Sequence, residues 1–159
     1  ESTDLPHTLN KIERWRPKDA VKTRRMVLGG PIREGRPTPG PGPRIPINGK
    51  LMDMGRVDEV VRLGDIEIWE IMNRGGQAHP FHIHDVQFLI LDRDGTPPEP
   101  SESGWKDTVL VGTNETVRFI TQFNTYANPD IPYMYHCHIL EHEDGGMMGQ
   151  FLVIDPEAE

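Results

Sequence analysis

Residues 136–147 read HCHILEHEDGGM and hold the single cysteine of the chain, Cys137, between His136 and His138. Neighbouring side chains on a β-strand point to opposite faces, so Cys137 faces one way while the two histidines face the other. Thiolates and imidazoles are both good ligands of transition metals. This segment therefore predicts a strand that joins two metal sites, one on each of its faces.

The remaining sequence predicts an all-β domain. The 159 residues include 16 glycines and 15 prolines, a composition typical of loop-rich β proteins. Short apolar runs recur between turn residues, at the spacing of strands in a sandwich. We expect a Greek-key β-sandwich of about eight strands, with a short helical turn at 139–143 after the His-Cys-His triplet. The predicted strands cover residues 21–28, 57–62, 66–73, 82–92, 108–111, 116–123, 133–137 and 150–154.

Composition also limits the partners. The formal net charge of −8 argues against nucleic acid and anionic membrane surfaces as partners. No apolar run approaches the roughly 20 residues that span a bilayer. The length fits one domain, and we assign residues 21–159 to it and residues 1–20 to a connector or lead-in segment.

Histidine is concentrated in two segments. Six of the seven histidines lie in residues 79–84 (HPFHIH) and 136–142, whereas His7 is expected to be an ordinary surface or core residue. Residues two apart on a strand share a face, so each segment offers a pair of imidazoles to the same side. We call these two pairs the histidine cluster: His82, His84, His136 and His138.

A second ligand set converges on the thiol. Pro80 is expected to interrupt the strand register and so to free His79 to point toward Cys137. Two imidazoles, one thiolate and a weak thioether form a blue-copper arrangement. Copper is favoured over zinc, the rival metal, because Cu(II) binds such ligands more tightly and a thioether suits copper better. Met148 competes for the thioether role. We call the favoured set the cysteine cluster: His79, Cys137, His142 and Met147.

Both segments resemble the carboxy-terminal copper motifs of multicopper oxidases, the family of laccases, bilirubin oxidases and spore-coat laccases. Residues 47–49 (ING) and 104–108 (GWKDT) are similar to recurring segments of that family. The resemblance covers residues 21–155 and implies a cupredoxin fold. It also implies that the cysteine cluster holds a type 1 copper, that His82 binds a type 2 copper, and that the type 3 pair is bound by His84, His136 and His138.

The resemblance implies a mechanism as well. A donor gives single electrons to the type 1 copper through His142, and Cys137 passes them to the trinuclear cluster, where dioxygen is reduced to water. In bacterial relatives a glutamate at the position of Glu143 is implicated in proton delivery, which implies the same role for Glu143, although surface charge alone would also explain this residue. A blue-copper electron carrier without oxidase activity is the alternative function, and a module that has lost catalysis is a third.

The resemblance further implies missing partners. The oxygen-reducing cluster of the family uses eight histidines, and this chain supplies four. We therefore expect amino-terminal cupredoxin domains of the same oxidase, as a separate fragment or chain, to complete it. Dioxygen and a phenolic or metal-ion donor are the expected small partners. Cuprous oxidases of the family carry a methionine-rich insert and an acidic residue just before the first motif. Residues 73–78 (NRGGQA) contain neither a carboxylate nor a methionine, so the resemblance favours phenols. An extracytoplasmic location follows from the family alone.

Overall fold

A computed structural model describes residues 10–35 and 42–158 and shows a two-sheet β-sandwich. The first sheet has the strand order β1-β3-β7-β5, and the second has the order β2-β9-β8-β4-β6. One short helix, α1, follows β8 within these residues. The elements are β1 (Lys22–Leu28), β2 (Glu59–Arg62), β3 (Ile66–Asn73), β4 (His79–Ile83), β5 (Phe88–Arg93), β6 (Thr108–Val111), β7 (Thr116–Gln122), β8 (Asn128–Cys137), α1 (Leu140–Asp144) and β9 (Met148–Ile154).

The chain changes sheet at every connection from β1 to β8, and this alternation produces the sandwich. β1 runs parallel to β3 and β2 runs parallel to β9, whereas the other strand pairs are antiparallel. The core lies between the sheets and is rich in stacked aromatic rings. Trp69 and Phe119 of the first sheet pack on Phe81 and Phe151 of the second. The predicted all-β sandwich with a helical turn after the His-Cys-His triplet is therefore confirmed.

The structure has nine strands among the described residues, one more than expected, because the predicted strand 82–92 is two strands. β4 ends at Ile83 in the second sheet, and β5 begins at Phe88 in the first. Between them Asp85 has a φ of 72°, a left-handed conformation that aspartate tolerates better than most residues. Apolar residues recur on both sides of this corner and Val86 lies within it, so the pattern reads as one long strand although residues 84, 85 and 87 are polar.

The expected interruption at Pro80 is wrong. β4 keeps its register through the proline, with His79 opposite Val111 and Pro80 opposite Leu110 on β6. His79 points inward because it lies three residues before His82, and an odd spacing places two strand residues on opposite faces. Strand alternation, and not a proline break, therefore separates the two ligand sets.

The described part of the lead-in packs on the sandwich. Ile12 and Trp15 contact a small apolar cluster on the outer side of the first sheet, and the Trp15 ring meets the edge of Trp105 at 5.3 Å between centroids. The division at residue 20 stays a prediction, and His7 lies outside the described residues. No helix within residues 10–35 and 42–158 has the length and apolarity needed to cross a membrane.

Candidate metal centres

The cysteine cluster is a triangle of ligand atoms at one end of the core. The Cys137 sulfur lies 3.6 Å from Nδ1 of His79 and 3.6 Å from Nδ1 of His142, and the two nitrogens are 3.2 Å apart. A point about 2.0 Å from all three atoms lies between them, and transition-metal bonds to nitrogen and sulfur are roughly 2.0–2.3 Å long. The three atoms are therefore spaced to hold a single transition-metal ion.

Local chain geometry brings His142 back to the cysteine. β8 ends at Cys137, and α1 then turns the chain so that the amide of Met147 donates to the carbonyl of His142 at 2.9 Å. The amide of Cys137 donates in turn to the carbonyl of Met147 at 3.1 Å. Gly146 has a φ of 92°, a conformation that glycine adopts without strain. These bonds tie three members of the cysteine cluster to one tight loop.

Burial decides the protonation states of the ligands in the cysteine cluster. Burial lowers the pKa of His79 to about 4, with His142 adding to the effect, and burial also lowers the pKa of His142. Burial raises the pKa of the Cys137 thiol. Near neutral pH the imidazoles are thus uncharged with lone pairs available, and a metal ion would have to displace the thiol proton. The donor set fits copper, as its composition predicts.

The two candidate methionines face opposite sides of the second sheet. Met148 pairs with His136 in the β8–β9 ladder, and so it shares the outer face with the histidine cluster. Met147 is fully buried in the core together with Cys137. Of the two, Met147 is therefore the thioether on the same side as the cysteine cluster.

The histidine cluster lies on the outer face of the second sheet. His82 on β4 pairs directly with His136 on β8, and their rings are 5.3 Å apart between centroids. A nitrogen of His82, one of His84 and one of His136 all lie within 4.8 Å of one another. The exposed His138 ring is 5.5 Å from His136 and 5.6 Å from His82. The structure thus brings all four rings together, three of them at metal-ligand spacing.

Hydrogen bonds indicate which ring nitrogens of His82 and His136 are left to bind a metal. Nδ1 of His136 lies 3.0 Å from the carbonyl of Cys137, which can only accept, so Nδ1 is the protonated nitrogen of the neutral ring. Its Nε2 then faces Nε2 of His84 at 3.2 Å. Nδ1 of His82 likewise lies 2.9 Å from the carbonyl of Asp107 and 3.0 Å from the Thr108 hydroxyl. The ε nitrogens of His82 and His136 are therefore available as ligands.

Sequence reasoning missed the role of Asp107 and Thr108 in orienting His82. Their segment, residues 104–108, was noticed only for its similarity to the family. The sequence did predict the strand 108–111 that carries Thr108. It did not show that this strand lies beside His82, because the order of strands in a sheet is not readable from one sequence. An oriented ligand is a usual feature of metal sites, in which the second ring nitrogen donates to a carbonyl or carboxylate.

The predicted acidic residue Glu143 contacts the histidine cluster. Its Oε2 lies 3.3 Å from Nδ1 of His136, the nitrogen that also faces the Cys137 carbonyl. The carboxylate is partly exposed, with 29% of its side-chain surface accessible. The Glu143 carboxylate is therefore in contact with both the solvent and the edge of the histidine cluster.

A single peptide segment connects the two clusters. In the pairing of β4 with β8, Phe81 is opposite Cys137 and His82 is opposite His136. Cys137 lies in the core, and His136 lies on the outer face one residue away. The arrangement of two metal centres on the two sides of one strand is the arrangement that the His-Cys-His triplet predicts.

Known proteins are similar to this chain in sequence and in fold. A family model described as multicopper oxidase matches residues 20–157. A laccase of Haloferax volcanii is 41% identical over 144 residues, which cover 89% of this chain and 23% of that protein. The multicopper oxidase mco of Staphylococcus haemolyticus is 41% identical over 118 residues, 72% of this chain and 26% of that protein.

Among solved structures, a laccase of Pediococcus acidilactici superposes with a TM-score of 0.81 at 38% identity. The superposition covers 98% of this chain and 32% of that one. The chain thus spans about a quarter of the length of the two curated relatives, and about a third of the solved laccase.

Proposed function

The chain belongs to the multicopper oxidase family, and we propose that it is the domain that accepts electrons from a donor and passes them toward the site of dioxygen reduction. The observation that carries the proposal is the pair of clusters on the two sides of β8. The cysteine cluster would hold a type 1 copper through His79, Cys137, His142 and Met147. The histidine cluster would supply ligands to the type 2 and type 3 coppers.

When bound, the copper ions supply one-electron redox chemistry and the reduction of dioxygen to water. The protein's part is to hold the ligands and to exclude water from the cysteine cluster, where His79 and Cys137 are each 1% exposed. Cys137 shares one peptide bond with His136 and another with His138. Those two bonds give the shortest covalent route from the thiol to the histidine cluster.

We propose His142 as the residue through which the donor reaches the cysteine cluster. It is 5% exposed, slightly more than His79 and Cys137. Glu143 is the proposed residue for proton delivery, since its carboxylate is partly exposed and contacts His136. Both roles rest on the resemblance to the family together with these positions.

The histidine cluster requires a partner to be complete. Its rings lie on the outer face of the sheet, and His138 is exposed. Because the chain spans about a quarter of its curated relatives, we propose that another cupredoxin domain of the same oxidase covers this face and supplies the remaining ligands. Dioxygen and a phenolic or metal-ion donor are the proposed small partners, and an extracytoplasmic location stays a prediction.

The alternative of a blue-copper electron carrier uses only the cysteine cluster. It gives no role to four imidazole rings that converge within 5.2–5.6 Å of their neighbours. The geometry therefore favours the oxidase.

Copper content and oxygen uptake separate the two functions. We expect the intact protein, together with the domain that completes it, to bind several coppers and to consume oxygen while oxidising a phenolic dye. Chelation should abolish both properties, and added copper should restore them. A single copper per chain with a blue absorption band and no oxygen uptake would instead identify an electron carrier.

A further inference from the structure

Asn73 is a buried polar residue that ties together the chain around His79. It ends β3, is 1% exposed, and uses both the donor and the acceptor groups of its side chain. Its Oδ1 accepts from the amide of Gly75 at 2.8 Å, and its Nδ2 donates to the carbonyls of Gln77 at 2.7 Å and Val111 at 3.1 Å. The side chain therefore binds the turn after β3 to the edge strand β6.

The turn that Asn73 holds leads directly into β4, whose first residue is His79. His79 is opposite Val111 in the β4–β6 ladder, and Val111 is also the residue whose carbonyl accepts from Asn73. The turn is held on the side of β1 as well, because the amide of Arg74 donates to the carbonyl of Leu28 at 2.9 Å. The position of the His79 backbone is therefore set by the turn before it and by the strand beside it.

Gly75 brings this turn against the His79 ring. A Cβ atom at Gly75 would lie 3.3 Å from Nε2 of His79 and 3.2 Å from Oδ1 of Asn73. A Cβ at Gly76, by contrast, would meet no atom of the described residues within 4 Å. Neither glycine has a φ in the left-handed region, so the backbone at both positions is compatible with alanine. What Gly75 provides is therefore room for the imidazole, and not a special backbone conformation.

The turn has little room to move away from the ring. The backbone of Gly29 packs against it, since a Cβ at Gly29 would lie 3.2 Å from the backbone nitrogen of Gly75. Nδ1 of His79, the other nitrogen of the same ring, faces the Cys137 sulfur at 3.6 Å and Nδ1 of His142 at 3.2 Å. A change at Gly75 would therefore be passed through the imidazole to the geometry of the cysteine cluster.

We propose that Asn73 and Gly75 are positioning residues of the cysteine cluster. Asn73 holds the turn in place. Gly75 leaves room for the His79 ring while its backbone limits the rotation of that ring, so that Nδ1 stays directed at the Cys137 sulfur. Neither residue is a ligand, and both act through His79. The inference deepens the proposed function and rests on it for the metal, but the orientation of the ring is a property of the metal-free chain.

The orientation of the ring can be measured without a metal. In the wild-type chain, NMR should show nuclear Overhauser effects between the ring protons of His79 and the α-protons of Gly75. Gly75→Ala removes no hydrogen bond, yet it should displace the ring and change the signals of His79 and His142. Gly76→Ala is the matched control, because it adds the same methyl group in open space, and it should leave these signals unchanged. Identical His79 signals in the two variants would overturn the proposal.

Two variants of Asn73 test the turn itself. Asn73→Ala removes three buried hydrogen bonds, so it should lower the free energy of unfolding in urea and also change the His79 signals. Asn73→Ser keeps an oxygen that can accept more weakly from the amide two residues on, and it should fall between Asn73→Ala and the wild type. Thr121→Val is the control for stability, because it removes a buried hydroxyl that donates to the Gln87 carbonyl at 2.8 Å in the first sheet. Unchanged His79 signals in Asn73→Ser, or equal changes in Thr121→Val, would overturn the role of Asn73.

Metal binding distinguishes this inference from the proposed function. We would titrate the copper-free chain with Co²⁺ and follow the absorption of the cobalt–thiolate bond, which reports on Cys137 alone because the chain has a single cysteine. Gly75→Ala should weaken this binding about tenfold, the lower end of the effect of groups that orient a metal ligand, and Gly76→Ala should not. Equal affinities in the two variants would overturn the positioning role while the metal site stands. If even the wild type shows no such absorption but the ring signals respond as expected, the metal proposal fails and the positioning role stands.

Discussion

Cys137 and His136 share a peptide bond, yet their side chains belong to different clusters of candidate metal ligands. Cys137 is buried in the core beside His79 and His142, and the His136 ring meets His82 and His84 on the outer face. This separation needs no special backbone conformation, because alternation along a strand produces it. A shift of one residue in the register of β8 would exchange the two faces and destroy both centres.

Two hydrogen-bond partners orient the ring of His82. Nδ1 of His82 faces the Asp107 carbonyl and the Thr108 hydroxyl, and Thr108→Val removes only the hydroxyl at nearly constant volume. The Asp107 carbonyl would remain as a partner of Nδ1. Copper retention by the histidine cluster should therefore fall by about tenfold, the lower end of the usual effect of removing a group that hydrogen-bonds to a metal ligand. The measurement is the copper content of the intact protein during dialysis against a chelator, with the blue band of the cysteine cluster as an internal reference that should not change.

The matched control is Thr96→Val, which changes an exposed threonine in the β5 hairpin that faces neither cluster. It should alter neither the copper retention nor the blue band. Unchanged retention in Thr108→Val would show that the hydroxyl does not hold His82 in place.

At the scale of elements, the sequence predicted strands well where turn residues mark both ends. β3 and β6 have the predicted bounds, since Gly64-Asp65 precedes β3 and Gly112 follows β6. The run 82–92 was predicted as one strand although residues 84, 85 and 87 at the corner are polar, because Val86 lies among them and apolar residues recur on both sides. The left-handed φ of Asp85, at which the chain bends, is not readable from such a pattern. Single-sequence patterns report burial, and both sides of this corner are buried.

Arg93 fixes the loop that delivers Asp107 and Thr108 to His82. Its guanidinium donates to both carboxylate oxygens of Glu102 at 2.6 and 2.8 Å, and also to Glu115 and the Leu110 carbonyl at 2.9 Å each. The hydrogen bond from Arg93 lowers the pKa of the Glu102 carboxyl below its ordinary value of 4.5. The ionised carboxylate therefore stabilises the folded state above the unfolded pKa, and the contribution is lost as the pH falls through the folded pKa.

Glu102→Gln should consequently lower the free energy of unfolding by about 1 kcal/mol at neutral pH, a modest amount because the pair is partly exposed. The difference from wild type should shrink toward zero in acid, where the wild type also loses the charge. Urea unfolding of the copper-free protein at neutral and acid pH measures it. Glu99→Gln, in an exposed residue of the same loop, should change nothing, and a gap that persists in acid would refute the ionic explanation.

The domain as a whole presents two clusters of candidate metal ligands. The cysteine cluster is enclosed, whereas the histidine cluster lies on an outer face with His138 exposed. The ligands were predictable from sequence because they fall in two short segments. The partners that orient His82 were not, because Asp107 and Thr108 lie 25 and 26 residues further along the chain and meet His82 only after folding.

The central claim is that Cys137 links two distinct copper centres, and Cys137→Ser in the intact protein tests it most directly through copper content and visible absorption. The variant should lose one copper per chain, the blue band and all oxygen-coupled donor oxidation, while the coppers of the histidine cluster remain. Continued turnover without the thiol, or loss of every copper together, would contradict the claim.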